Sequence, residues 1–110
     1  MVMRDDLRIY RRDGTPYPEG FQGMFEYGVD CGDPAKKIVK QERLPDGRFV
    51  STVWLGLNHQ YGDGPPLIFE TMVFGGDGDS RECERYSTEA EALAGHKAMV
   101  ARLRTEAECQ

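Results

Sequence analysis

The chain has 110 residues, a length that suits one domain spanning 1–110 and not two. Charged residues make up 30% and hydrophobic residues 39%, which permits a modest core and argues against global disorder. Nineteen acids against fourteen bases leave a formal charge of −5, so the basic footprint of a direct nucleic-acid binder is missing, and no apolar run approaches the ~20 residues of a membrane span.

Leu7 to Tyr10 reads as a short strand ending at Asp13-Gly14. Phe21, Met24, Phe25 and Tyr27 then recur at roughly helical spacing, and a short helix packed on the sheet is expected there, although Gly20, Gly23 and Gly28 weaken it. Lys36 to Leu44 reads as an exposed strand, turned at Pro45-Asp46-Gly47 into a second strand, Phe49 to Leu57. Residues 36–57 therefore form a β-hairpin. One face of the second strand carries Phe49, Ser51, Val53, Leu55 and Leu57, and the other Val50, Thr52, Trp54 and Gly56. Apolar groups on both faces fit a central strand, or a second face covered by a partner.

The link 58–66 is dense in turn formers, and Leu67 to Phe74 forms the next strand. After Gly75 to Asp79, the segment Arg81 to Tyr86 reads as a charged edge strand. Thr88 followed by Glu91 fits a capping box, and Leu93, His96, Val100, Leu103 and Ala107 trace one apolar stripe along a closing helix. Gly95 inside that helix costs up to about 1 kcal/mol against alanine and implies close packing at that point. The sum is an α+β domain: an antiparallel sheet of three to five strands, a meander with a central hairpin, packed by the carboxy-terminal helix.

Three cysteines, Cys31, Cys83 and Cys109, show no metal spacing and are read as reduced thiols. The start Met1-Val2-Met3-Arg4-Asp5-Asp6 lacks the apolar stretch of a secretory signal, so the cytoplasm is the expected compartment. No catalytic motif, cofactor loop or metal motif is present in the pattern of residues. His59 lies in the link beside Tyr61 and Asp63, and a loop histidine on a rigid scaffold is where binding groups are often found. With Glu70 and His96 these could supply a mixed nitrogen and oxygen metal site, provided the helix crosses that end of the sheet; a turn-stabilising His59 and a hydrogen-bonded, partly buried His96 are the simpler reading.

From Asp77 to Glu91 there are six acids against two bases in 15 positions. That run is either a solvated face protecting an edge strand or an acidic surface, with Glu82 and Glu84 at its centre, docking on a basic partner. The opposite sign at Arg4, Arg8, Arg11 and Arg12 is mixed with Asp5 and Asp6 and makes no DNA-binding patch. Phe21, Phe25, Tyr27, Trp54, Tyr61 and Phe74 exceed what one face of a small sheet readily covers; the amino-terminal segment or a homodimer interface would cover the excess, Trp54 included.

The stretch Val50 to Phe74, VSTVWLGLNHQYGDGPPLIFETMVF, resembles a signature of small proteins from phage and prophage genomes, and Arg85 to His96 resembles the closing helix of the same group. Together they cover about a third of the chain. This resemblance implies a bacterial host cell, infected or lysogenic, and no catalytic residue. The expected function is therefore a small acidic accessory protein that binds a host or phage protein, through Trp54, His59, Tyr61, Asp63, Glu82 and Glu84. The alternatives are a metal-dependent or small-ligand-binding protein centred on the 58–66 loop, and a minor virion component.

Overall fold

Between Phe49 and Gly76 the only charged residues are Asp63 and Glu70, and this stretch supplies the two inner strands of the fold. The computed structural model describes residues 8–60, 64–76 and 80–108. Strands β1 (Ile38–Arg43), β2 (Phe49–Trp54), β3 (Phe69–Phe74) and β4 (Ser80–Tyr86) form one antiparallel sheet in sequence order. Three helices accompany it: α1 (Phe21–Cys31), α2 (Pro34–Lys37) and α3 (Glu89–Glu108). The expected α+β meander, with its central hairpin and its carboxy-terminal helix on the sheet, is the architecture.

Register decides which side chains α3 covers. Val50 pairs with Val73, Thr52 with Thr71 and Trp54 with Phe69, and side chains directly opposite one another share a face. All six are buried, at 0–1% exposure. From α3 the residues Ala92, His96, Met99, Val100 and Leu103 complete this layer. Trp54, Phe69 and Ala92 join Ile9, Tyr17 and Ile68 at one end, while Val50, Val73, Val100 and Leu103 join Leu44 and Met99 at the other. Thr52, Thr71 and His96 lie between the two apolar clusters as a polar middle layer.

Helix α3 starts as its sequence dictates. The Glu91 N–H donates to Thr88 Oγ1 (3.1 Å) and the Thr88 N–H to Glu91 Oε1 (3.2 Å), the reciprocal pair of a capping box. Gly95 packs as expected, since a Cβ there would lie 2.2 Å from Tyr86 Oη. The buried stripe, however, begins at Ala92, and Leu93 is 42% exposed. A helix turns about 100° per residue, so the one-position shift carries Leu93 off the core.

Several expected elements are altered. The first strand reduces to two isolated bridges, Ile9 with Leu57 and Tyr10 with Pro16; Leu7 lies outside the described residues. The hairpin's first strand begins at Ile38, because Lys36 and Lys37 belong to α2. There Asp33 is the N-cap, its carboxylate accepting from the Ala35 N–H (3.0 Å), and Pro34 takes the first helical position. Strand β2 ends at Trp54, and Gly56 beyond it adopts φ +80° against the Tyr27 ring, where a Cβ would come within 2.4 Å. Helix α1 forms, yet it packs through Gly23, Tyr27 and Cys31 and not through its apolar stripe. It has eleven residues, two of them glycine at about 1 kcal/mol each, and is a weak helix by its own propensity.

Candidate functional site

Three places bear on function: the buried polar layer, the uncovered face of the sheet and the exposed side of α1. At the first, His96 is fully buried, with Nδ1 2.7 Å from Thr52 Oγ1 and Nε2 3.0 Å from Glu42 Oε1. Thr52 Oγ1 lies 2.5 Å from Thr71 Oγ1, and the Tyr86 hydroxyl bonds Thr71 in turn. Glu42 as a carboxylate can only accept, so the His96 Nε2–H is the donor in that pair. In the tautomer that carries its proton on Nε2, His96 Nδ1 accepts from the Thr52 hydroxyl, which in turn accepts from the Thr71 hydroxyl, and the Tyr86 hydroxyl is hydrogen-bonded to Thr71. Lys40 and Arg104 lie 3.9 and 3.7 Å from the Glu42 carboxylate.

A carboxylate, an imidazole and a hydroxyl in series form the arrangement that activates a nucleophile in hydrolases. Here Thr52 and His96 have no exposed surface, so no substrate atom reaches the hydroxyl. The relay instead fixes α3 on the sheet at one axial position, because sliding the helix would leave buried donors and acceptors unpaired. Among the described residues no buried side-chain nitrogen or oxygen lacks a partner.

The far face of the sheet is different. Phe49, Ser51 and Val53 of β2 share it with Glu70, Met72 and Phe74 of β3, and with Ile38, Gln41 and Arg43 of β1. Among the described residues no helix packs on this side, where Phe49, Val53, Met72 and Phe74 are half-buried and Ser51 is buried. The Phe49 and Phe74 rings lie 6.5 Å apart at 37°, with the Arg43 guanidinium 5.3 Å from the Phe49 ring centre. Toward the β4 edge the Cys83 thiol donates to Glu70 Oε2 (3.1 Å), which also accepts from Arg85 Nε (3.0 Å). Partial burial, followed by the Glu70 carboxylate, pushes the Cys83 thiol up to about 11, leaving it un-ionised near neutrality. Cys31 and Cys83 are free thiols, and Cys109 lies outside the described residues.

The described residues among those expected to bind do not come together. Trp54 is 1% exposed and belongs to the core: its indole N–H donates to the Tyr10 carbonyl (3.0 Å), and Tyr17 and Tyr27 pack their rings against it at 6.4 and 5.9 Å. The amino-terminal segment thus covers it, and a partner cannot reach it as a docking group. His59 is half-buried in the link, its backbone N–H donating to the Leu67 carbonyl (3.0 Å). Asn58 organises that link, its Oδ1 accepting from the N–H groups of Gln60 (2.8 Å) and Leu67 (3.0 Å). Tyr61 and Asp63 lie outside the described residues. Glu70 and His96 sit on opposite faces of the sheet, and among the described residues no three His, Cys, Asp or Glu side chains gather around a common point.

Ion pairs within the chain occupy much of the acidic segment. Glu82 accepts from Arg102, and Glu89 takes a bidentate bond from Arg12 (2.7 and 2.9 Å) that holds its carboxyl below the usual range. Glu91 is committed to the capping box and Glu84 is exposed on β4, while Asp77 and Asp79 lie outside the described residues. Beside Tyr17 and Trp54 an open depression of about 320 Å³ is lined by Arg11, Arg12 and Lys36, each already paired with Glu26, Glu89 or Asp30.

Sequence reading missed the relay, which joins residues 44 and 54 positions apart. A usable signal existed: Thr52 and Thr71 each interrupt the apolar face of an inner strand, and His96 interrupts the stripe of the helix that covers them. Also missed was the outward turn of α1, where Phe21 is 85%, Met24 59%, Phe25 63% and Val29 58% exposed. Among the described residues no helix is long and apolar enough to cross a membrane. No protein-family model, curated protein or solved structure matches the chain.

Proposed function

We propose that the chain is a non-enzymatic accessory protein that binds another protein through the uncovered face of its sheet. One observation carries this reading: among the described residues no helix covers the face bearing the half-buried Phe49, Val53, Met72 and Phe74, although its strands are the two most apolar in the chain. A sheet with apolar groups on both faces and a helix on one leaves a surface suited to a partner with an apolar centre. Arg43, Glu70 and Arg85 surround it with mixed charge, as the polar rim of a docking surface does. Glu84 adds negative charge on the exposed edge, whereas Glu82 is spent on Arg102, so the apolar face takes precedence over the acidic segment.

The resemblance of residues 50–74 and 85–96 to small phage and prophage proteins supports a host or phage protein as the partner and the bacterial cytoplasm as the place of action. Capture of the partner by the tagged chain from infected cells tests this. Binding is expected to survive Glu82→Lys and to fall at least tenfold with Met72→Glu, which puts a charge at the centre of the face while circular dichroism reports an unchanged fold. Capture that persists in full with Met72→Glu, or that fails with the unaltered chain, overturns the proposal.

A further inference from the structure

We infer that α1 is a self-association element, pairing antiparallel with α1 of a second copy about a two-fold axis near Phe25. Phe21, Met24, Phe25 and Val29 fall at the spacing of one helical stripe, and all four are more than half exposed. At the ~200 Å² an aromatic side chain carries, and less for methionine and valine, those exposures leave about 500 Å² of apolar surface on each copy. Two copies covering one another would bury about 1,000 Å², the lower bound for a specific interface.

The stripe also complements itself. It is bulky at its amino-terminal end, with Phe21, and small at its carboxy-terminal end, with Gly28 and Val29. Among the described residues a Cβ at Gly28 would meet nothing within 4 Å, so none of them calls for a glycine there. Antiparallel pairing centred on Phe25 sets Phe21 of each helix into the notch at Gly28 and Val29 of the other, as an isologous contact requires. Charge does not oppose it. Glu26 is paired with Arg11 (3.2 Å) and Asp30 with Lys36 (2.8 Å) within the same chain, and the stripe itself is uncharged.

This inference is independent of the sheet face and fails or stands separately from it. Sedimentation equilibrium on the full chain tests it with two exposed substitutions that leave the helix sound, since Phe21→Glu places an acid in the first turn and Val29→Lys a base in the last. The unaltered chain is expected to be a dimer, each single variant to weaken association at least tenfold, and the double variant to regain it, because antiparallel pairing sets each new glutamate against a new lysine. Circular dichroism confirms that the variants keep their helix content. An unaltered chain that is monomeric, that grows into larger species or that instead partitions onto neutral lipid vesicles overturns the inference. So does a dimer indifferent to Phe21→Glu, or a double variant that stays monomeric.

Discussion

Gly95 shows how one residue sets the spacing between α3 and the sheet. Alanine there would gain helix propensity worth about 1 kcal/mol, yet its Cβ would fall 2.2–2.4 Å from three atoms of the Tyr86 ring and hydroxyl. That ring packs against the Trp54 cluster and hydrogen-bonds Thr71, so it cannot swing aside without loosening both. Overpacking of this kind costs about 1–3 kcal/mol and outweighs the propensity gain. Gly95→Ala is expected to lower the urea midpoint, and a stabilised variant would refute the contact. The sequence already pointed here, because a glycine in the middle of an otherwise strong helix needs a packing reason. It did not name Tyr86, which approaches only once β4 lies beside β3.

At the scale of elements, much of the assembly is tied by carboxylates. Glu89 at the start of α3 accepts from Nε and Nη2 of Arg12, whose Nη1 donates to the carbonyls of Ala35, Lys36 and Ile38. Asp30 at the end of α1 accepts from Lys36 of α2 and from the Tyr17 hydroxyl (2.6 Å). Lys36 first and then Tyr17 hold the Asp30 carboxyl below its ordinary value, as Arg12 does for Glu89. Asp13 and Asp46 are lowered by their hydrogen bonds to Thr15 and Arg48. A carboxyl that ionises more readily when folded contributes stability above its unfolded pKa, lost as pH falls through the folded one. Urea stability should therefore hold level from neutral pH and decline below about pH 4.5, with a shallower decline in Arg12→Gln. A chain equally stable at pH 3 and pH 7 would contradict these ties.

Strands β2 and β3 and the cap of α3 were legible because β-branched and aromatic runs, and the Thr88 and Glu91 pair, act locally. The start of β1 was misread because Asp33-Pro34, a helix-start signal, was outweighed by the strand pattern downstream of it. The orientation of α1 could not be read at all. Spacing reveals that Phe21, Met24, Phe25 and Val29 share a face, but which face meets the protein depends on Gly23 reaching Pro18 and Tyr27 reaching Leu55.

Taken whole, the molecule has one closed side and two open ones. Helix α3 closes one face of the sheet around the His96 relay, no helix among the described residues covers the opposite face, and α1 projects its apolar stripe away from the core. The same asymmetry explains why Trp54, Glu82, Glu84 and His59, the described residues among those expected to bind, form no common site. Trp54 was drawn into the closed side by its size, the charge of Glu82 was spent on Arg102, and Glu84 is exposed on β4 while His59 is half-buried in the link before β3. Apolar pattern reveals that a strand has two apolar faces, but not which one the chain itself covers.

Three methionines report on these three surfaces: Met24 on α1, Met72 on the bare face and Met99, 6% exposed, beneath α3. Mild peroxide oxidation read by peptide mass spectrometry, on the free chain and on the chain with its captured partner, is the most direct test of the docking face. Met72 is predicted to oxidise in the free chain and to be protected in the complex, while Met99 stays unoxidised in both. A Met72 that reacts as readily in the complex as in the free chain would contradict docking on the sheet.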